Sequence, residues 1–140
     1  MSQQDAFALR SRLAKITRFS GGRKAKLLIN GYTLVVELAL TPKEQWLGLS
    51  GRTMIGKNEG MAFVYPRPDK LPFWMQGTAL PLSVIFVRDD GTVVGMHDLV
   101  PFSEDTIKSP EPVRIAVEAP RGWFASADLR VGDKIALNLG

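Results

Sequence analysis

Few residues in this chain are of types that do covalent or proton-transfer chemistry, and their spacing gathers none of them into a catalytic set. There is no cysteine and a single histidine, His97. Thiolate nucleophiles, zinc–cysteine sites and disulfides are therefore excluded. Asp98 follows His97, but adjacent residues on a strand point to opposite faces, so the two do not make a metal-binding pair. Asp89-Asp90-Gly91 lacks the alternating ligands of a calcium loop and reads as a hairpin turn. No metal and no cofactor are expected. Ser83 stands in no nucleophile-elbow context. Glu104-Asp105 lies in a proline-rich loop where nothing desolvates a carboxyl and raises its pKa. Glu118 sits in Ile115-Ala116-Val117-Glu118-Ala119. Alternation puts it opposite Ile115 and Val117, which predicts an outward-facing acid unless an arginine such as Arg52 is held against it. No glycine-rich phosphate loop follows a strand and opens a helix. A hydrolase-like enzyme using Glu118, His97 or Ser83 is thus the second functional reading rather than the first.

The other feature with chemical content is apolar. Phe73-Trp74-Met75 places three large side chains in a row between turn formers, just before Pro81-Leu82. In an extended segment Phe73 and Met75 share one face and Trp74 takes the other. Either both faces are buried, one of them under a neighbouring helix or loop, or one face lines a pocket. Gln76, Thr78 and Ser83 could supply the few polar groups a pocket needs, and Trp123 a second wall. The candidate ligand-binding set is therefore Phe73, Trp74, Met75, Gln76, Thr78, Ser83 and Trp123. The function that follows is a non-enzymatic module holding a small ligand or a protein partner.

The elements that must position these residues are mostly strands. Runs at 26–29 and 32–40 flank Asn30-Gly31, the strongest short hairpin signal, and Leu34, Val36, Leu38 and Leu40 share a face. Thr41 then predicts a helix N-cap, with Pro42 at the first helical position and Glu44 completing a capping box. Trp46, Leu47 and Leu49 would turn that helix toward the core, and Gly51 would end it. Gly48 inside it suggests a close neighbour. A strand is predicted over 60–65, after which Pro66-Arg67-Pro68-Asp69 must leave the sheet because proline cannot donate to a ladder. Further strands are predicted at 82–87, 92–96, 114–119 and 134–139, with Ile135, Leu137 and Leu139 on one face of the last. Residues 101–112 read as loop, and one or two helical turns are expected over 122–129. Six to seven short strands with one or two short helices predict a mainly β, compact antiparallel domain, barrel-like or a sandwich.

Charge divides the chain. Residues 1–28 hold seven Lys and Arg against one acid, while 29–140 hold eleven against thirteen, so the net +4 is +6 in the first part and −2 in the rest. Residues 1–22 read as a basic N-terminal arm and 23–140 as one domain. In the arm Leu9, Leu13 and Ile16 suggest a weak amphipathic helix. An accessory role contacting nucleic acid or anionic membrane would rest on that arm alone, and the acidic body argues against nucleic acid as the main partner. No run of eighteen apolar residues spans a membrane, and residues 6–19, broken by four basic residues, do not read as a secretory h-region. The expected location is cytoplasmic as the chain stands, or periplasmic or exported if a leader has been removed. Oligomeric state is not legible.

Thr41-Pro42 with Glu44, Gly48-Leu49, Arg52, Gly60-Met61, Phe63, Phe73-Trp74-Met75 with Thr78, Pro81-Leu82, Phe86, Glu118, Gly122-Trp123 and Gly132-Asp133 together resemble a bacterial and archaeal family, the domain of unknown function family 192. The resemblance runs from about Leu34 to Ala136 and leaves the arm out. It implies a compact β-rich domain and frequent export, and no assigned activity, substrate or cofactor. The chain departs from the family pattern where Gln76 and Gly77 replace a basic residue and Asn, where Ser83 replaces Asp, and in lacking cysteines before the Glu118 strand.

Overall fold

A computed structural model of the chain describes residues 17–19 and 22–136. The strands, in chain order, are β1 (Thr17–Phe19), β2 (Gly22–Ile29), β3 (Tyr32–Ala39), β4 (Glu59–Asp69), β5 (Pro72–Phe73), β6 (Leu82–Val87), β7 (Val93–Leu99), β8 (Ile107–Lys108) and β9 (Val113–Pro120). Helix α1 (Pro42–Leu47) lies between β3 and β4, and α2 (Trp123–Ser126) follows β9. Seven strands form one sheet in the order β1-β2-β3-β4-β9-β6-β7, and β5 pairs with β8 in a second, two-stranded sheet. The domain is mainly β, as expected. The arm residues Leu9, Leu13 and Ile16 lie outside the described residues. So do Leu137 and Leu139.

Local signals are realised where a turn or cap decides them. Asn30 and Gly31 have φ of 50° and 85°, the backbone of a type I′ turn. Their hairpin pairs Ile29 with Tyr32 and runs back to Lys24 and Glu37. The β6–β7 hairpin turns at Asp89-Asp90-Gly91. One pair is not antiparallel: β3 and β4 run parallel, with α1 in the crossover between them.

Strand β9 comes late in the chain yet sits in the middle of the sheet, between β4 and β6. The sheet therefore has two covered faces. One face holds Leu27, Leu34, Val36, Ile85, Val117 and Phe124, among others. The opposite face holds Phe63, Phe73, Met75, Leu82 and Phe86. There Phe73 packs edge-on against Phe63, ring centroids 5.0 Å apart, and at a tilt against Phe86 at 5.6 Å. Burying aromatic rings edge to face adds to their large apolar burial.

Three expectations change. Pro66-Arg67-Pro68 does stay within the extended span of β4, but outside its ladder with β9: the register jumps from Val64↔Ile115 to Asp69↔Val113. Helix α1 buries none of its residues. Trp46 is 81% exposed and Leu47 is exposed, while Leu49, just past the helix, enters the core. The helix also stops at Gly48, which has φ of 51°, rather than at Gly51. A six-residue helix turns less than twice, so only a few positions can face inward, and here polar Gln45 takes the anchoring one.

The sheet is not closed by a continuous ladder. Residues 132–136 span the gap instead: Lys134 bridges Thr92, and Ala136 bridges Leu28 of β2. Backbone bonds from Val93 N to the Asp133 carbonyl (2.8 Å) and from Ile135 N to the Gly91 carbonyl (2.9 Å) hold this seam on the β7 side. Among the described residues no helix is long and apolar enough to cross a membrane.

Candidate functional site

Helix α1 stands over one face of the sheet and leaves a cleft beside it of about 760 Å³. Its placement is local chemistry. The Glu44 amide donates to Thr41 Oγ1 (3.1 Å), and Glu44 Oε1 accepts from the amides of Thr41 (3.0 Å) and Leu40 (3.1 Å). Gln45 Nε2 donates to the Ala39 carbonyl (3.2 Å) and the Val64 carbonyl (2.8 Å), tying the helix to the ends of β3 and β4. These bonds hold a helix that has no buried apolar face of its own.

The facing wall is the segment 72–78. The Met75 amide donates to the Ser103 carbonyl, and the Phe102 amide to the Thr78 carbonyl, both at 3.0 Å. The two walls meet at Gly77, whose carbonyl accepts from the Gly51 amide (3.0 Å) and from Ser50 Oγ (3.2 Å). Phe63, Tyr65 and Glu118 line the cleft from the sheet side.

Glu118 is the unexpected member. It is 5% exposed, against the expectation of an outward-facing acid. Alternation assigned its face correctly, opposite Ile115 and Val117, but β9 is central and both its faces are covered. Arg52 is not its partner: that guanidinium is paired with Glu37, Arg52 Nη2 lying 2.9 Å from Glu37 Oε1. No hydrogen bond reaches the Glu118 side chain from any described residue. Burial pushes its carboxyl up to about 8, so it is protonated at neutral pH. Nearby Tyr65 is pushed up to about 12, first by burial and then by the Glu118 charge, and keeps its proton. The Thr78 hydroxyl, also in the lining, has no hydrogen-bond partner among the described residues. Gly60 backs this spot: a Cβ there would meet the Glu118 carbonyl oxygen at 2.0 Å, so β4 and β9 approach this closely only because residue 60 is glycine.

The sequence-predicted residues divide into three places. Phe73, Trp74, Gln76 and Thr78 line the cleft. Trp74, 48% exposed, stands at its rim. Met75 is buried beneath in the core with Phe73. Ser83 lies elsewhere, in a smaller depression of about 240 Å³ shared with His97 and Asp98. Its Oγ donates to Asp98 Oδ1 (2.8 Å) and accepts from the Gly122 amide (3.1 Å). Trp123 packs edge-on to Phe124 at 5.6 Å, and its Nε1 donates to Asn58 Oδ1 (3.0 Å). It belongs to the other core face.

The hydrolase trio does not converge. Across the sheet the register reads Glu118, Val84, His97. Two strand spacings separate the acid from the imidazole by about 10 Å. Ser83 is occupied by Asp98 and a backbone amide. Sequence reasoning missed Gln45, Trp46, Phe63 and Tyr65 as lining residues. The signal for them is the capped helix with Trp46 on it, which helical spacing turns inward and the structure turns outward.

A family model described as uncharacterized ACR, DUF192, matches residues 25–137. No curated protein matches the chain. A crystal structure of a protein of unknown function from Novosphingobium aromaticivorans DSM 12444 is 32% identical, with a TM-score of 0.76, over 90% of this chain and 96% of its own. A second crystal structure is of a protein from Sinorhizobium meliloti 1021 named as a proposed transcription regulator. It is also 32% identical, with a TM-score of 0.74, over 81% of this chain and 91% of its own.

Proposed function

Because the chain belongs to the DUF192 family, a family of unknown function, we propose its function from the cleft: it is a small-ligand-binding module, and the space between α1 and residues 72–78 is its binding site. The observation that carries this is Glu118, a buried carboxyl that lines an apolar, aromatic cleft and receives no hydrogen bond from any described residue. Its carboxyl faces the cleft, so a bound molecule can supply the hydrogen-bond partner that no described residue does. The cleft volume falls within the usual range for ligand sites, about 300–1,000 Å³. Mostly apolar walls with a few polar groups (Glu118, Tyr65, Thr78) fit the same class.

A protein partner is the second reading. Trp46, Leu47 and Trp74 line the cleft and are all exposed, and exposed aromatic residues are common anchors of protein interfaces. The name of the Sinorhizobium protein is not carried over, since residues 29–140 have a net charge of −2 and offer no basic excess for a phosphate backbone.

The test is a thermal-shift screen against metabolites, sugars and nucleotides, with Trp74→Ala in parallel. A ligand at a hundred times its Kd adds about 2.7 kcal/mol, several degrees for a domain of this size. A hit should vanish in Trp74→Ala while that variant keeps the ligand-free Tm of the parent, because Trp74 is a rim residue. A hit that survives Trp74→Ala places the ligand elsewhere. Failure of Trp74→Ala to fold would make the tryptophan structural and the proposal wrong.

A further inference from the structure

Resting on that cleft as the ligand site, we propose that it selects an organic cation, an ammonium or guanidinium group carried on a short or flat apolar body. Among the described residues the ionisable groups in the lining are Glu118 and Tyr65, and no Lys, Arg or His is with them. An anionic ligand would find no counter-charge and would face an acid. A purely apolar ligand would fill the walls and leave the Glu118 carboxyl without a partner. A cation answers both features. Its N–H groups can donate to the Glu118 oxygens, and the rings of Phe63, Phe73, Trp46 and Trp74 line the space it would occupy. An aromatic face attracts a cation more strongly as water is excluded.

Binding then carries a proton step. Glu118 gives up its carboxyl proton to solvent and the carboxylate pairs with the incoming cation, so one proton is released per ligand and charge balances. The groups packed around Glu118 do not compete for that role. Strand β4 presents Met61 and the Tyr65 phenol, and β6 presents Val84. Helix α1 contributes the uncharged Gln45 and Trp46 to the lining, the 72–78 wall Gln76 and Thr78, and the neighbouring loop Thr106.

The test uses benzylguanidinium, benzyl alcohol and phenylacetate, titrated calorimetrically into the whole protein and into Glu118→Gln. A guanidinium keeps its charge across the working pH range, so any pH dependence belongs to the protein. The expected result is binding of benzylguanidinium alone, weakened at least tenfold in Glu118→Gln. In the parent its Kd should fall about tenfold per pH unit between about pH 6 and 8 and level off above that, with a proton released in that window. Equal binding of the alcohol or the carboxylate, or a pH-independent Kd in the parent, overturns the cation assignment and leaves the cleft standing. No binding by any of the three, or binding unchanged by Trp74→Ala, overturns the cleft itself. The pH series needs no variant, so a poorly folded Glu118→Gln does not protect the inference.

Discussion

Glu118 carries an energetic cost that a glutamine in its place would not. Its carboxyl titrates near 4.5 in an unfolded chain and at about 8 when buried. Below the lower value both states are protonated and nothing is lost. As pH rises from there, the unfolded chain ionises first, so stability falls steadily until about 8 and is flat beyond it. Glu118→Gln should therefore match the parent at about pH 4 and exceed it by on the order of 4 kcal/mol at about pH 9. Urea unfolding at the two pH values measures this, and equal stability at the higher one would show that the acid has a partner in solution. Gly60 makes the opposite kind of demand. Gly60→Ala drives a methyl onto the Glu118 carbonyl, and the strand shift this forces should cost about 2–3 kcal/mol. An unchanged urea midpoint would mean that β4 and β9 are less close than described.

Among the elements, α1 depends most on its own ends. It buries no residue and is held by a capping box and by Gln45. Thr41→Ala removes the cap and should cost about 1 kcal/mol. The loss should concentrate in the amides of residues 42–48, read by hydrogen exchange, and should weaken any cleft ligand more than it lowers Tm. Uniform loss of protection across the sheet would instead make the helix part of the global core. This element also marks where the sequence is legible. Thr41, Pro42 and Glu44 announce the helix because a cap is made within four residues, and Asn30-Gly31 announces its hairpin for the same reason. Which way Trp46 points was not legible. It depends on Gln45 reaching Val64, nineteen positions on, a contact that no helical periodicity encodes. Glu118 was misread for a related reason. Alternation sorts a strand's residues between two faces, but only the neighbours β4 and β6 decide that both faces of β9 are covered. The Phe73-Trp74-Met75 alternation was readable, with Phe73 and Met75 buried and Trp74 half exposed, because that pattern is internal to the segment.

At the scale of the molecule, β9 is tied to the β6–β7 turn by an ion pair whose arginine is buried and whose aspartate is partly exposed. Arg114 of β9 is buried and pairs with Asp89 of the β6–β7 turn, Arg114 Nε donating to Asp89 Oδ1 at 3.0 Å. Removing the carboxylate takes a charge-assisted hydrogen bond from a buried guanidinium, so Asp89→Ala should cost about 1–3 kcal/mol. Adding Arg114→Met to it should restore most of that loss. A double variant as unstable as the single one would refute this account. The central position of β9 has a consequence of another kind, for how the chain acquires its shape. Strands β4 and β6 must wait for a strand that lies some fifty and thirty residues further along the chain before their facing edges are paired. During synthesis those edges, rich in Val, Ile and Phe, are open templates for a neighbouring chain. Closing such distant pairings is slow, on the order of milliseconds to seconds for β-rich domains. Until β9 arrives, the open edges of β4 and β6 are where association between nascent chains would begin.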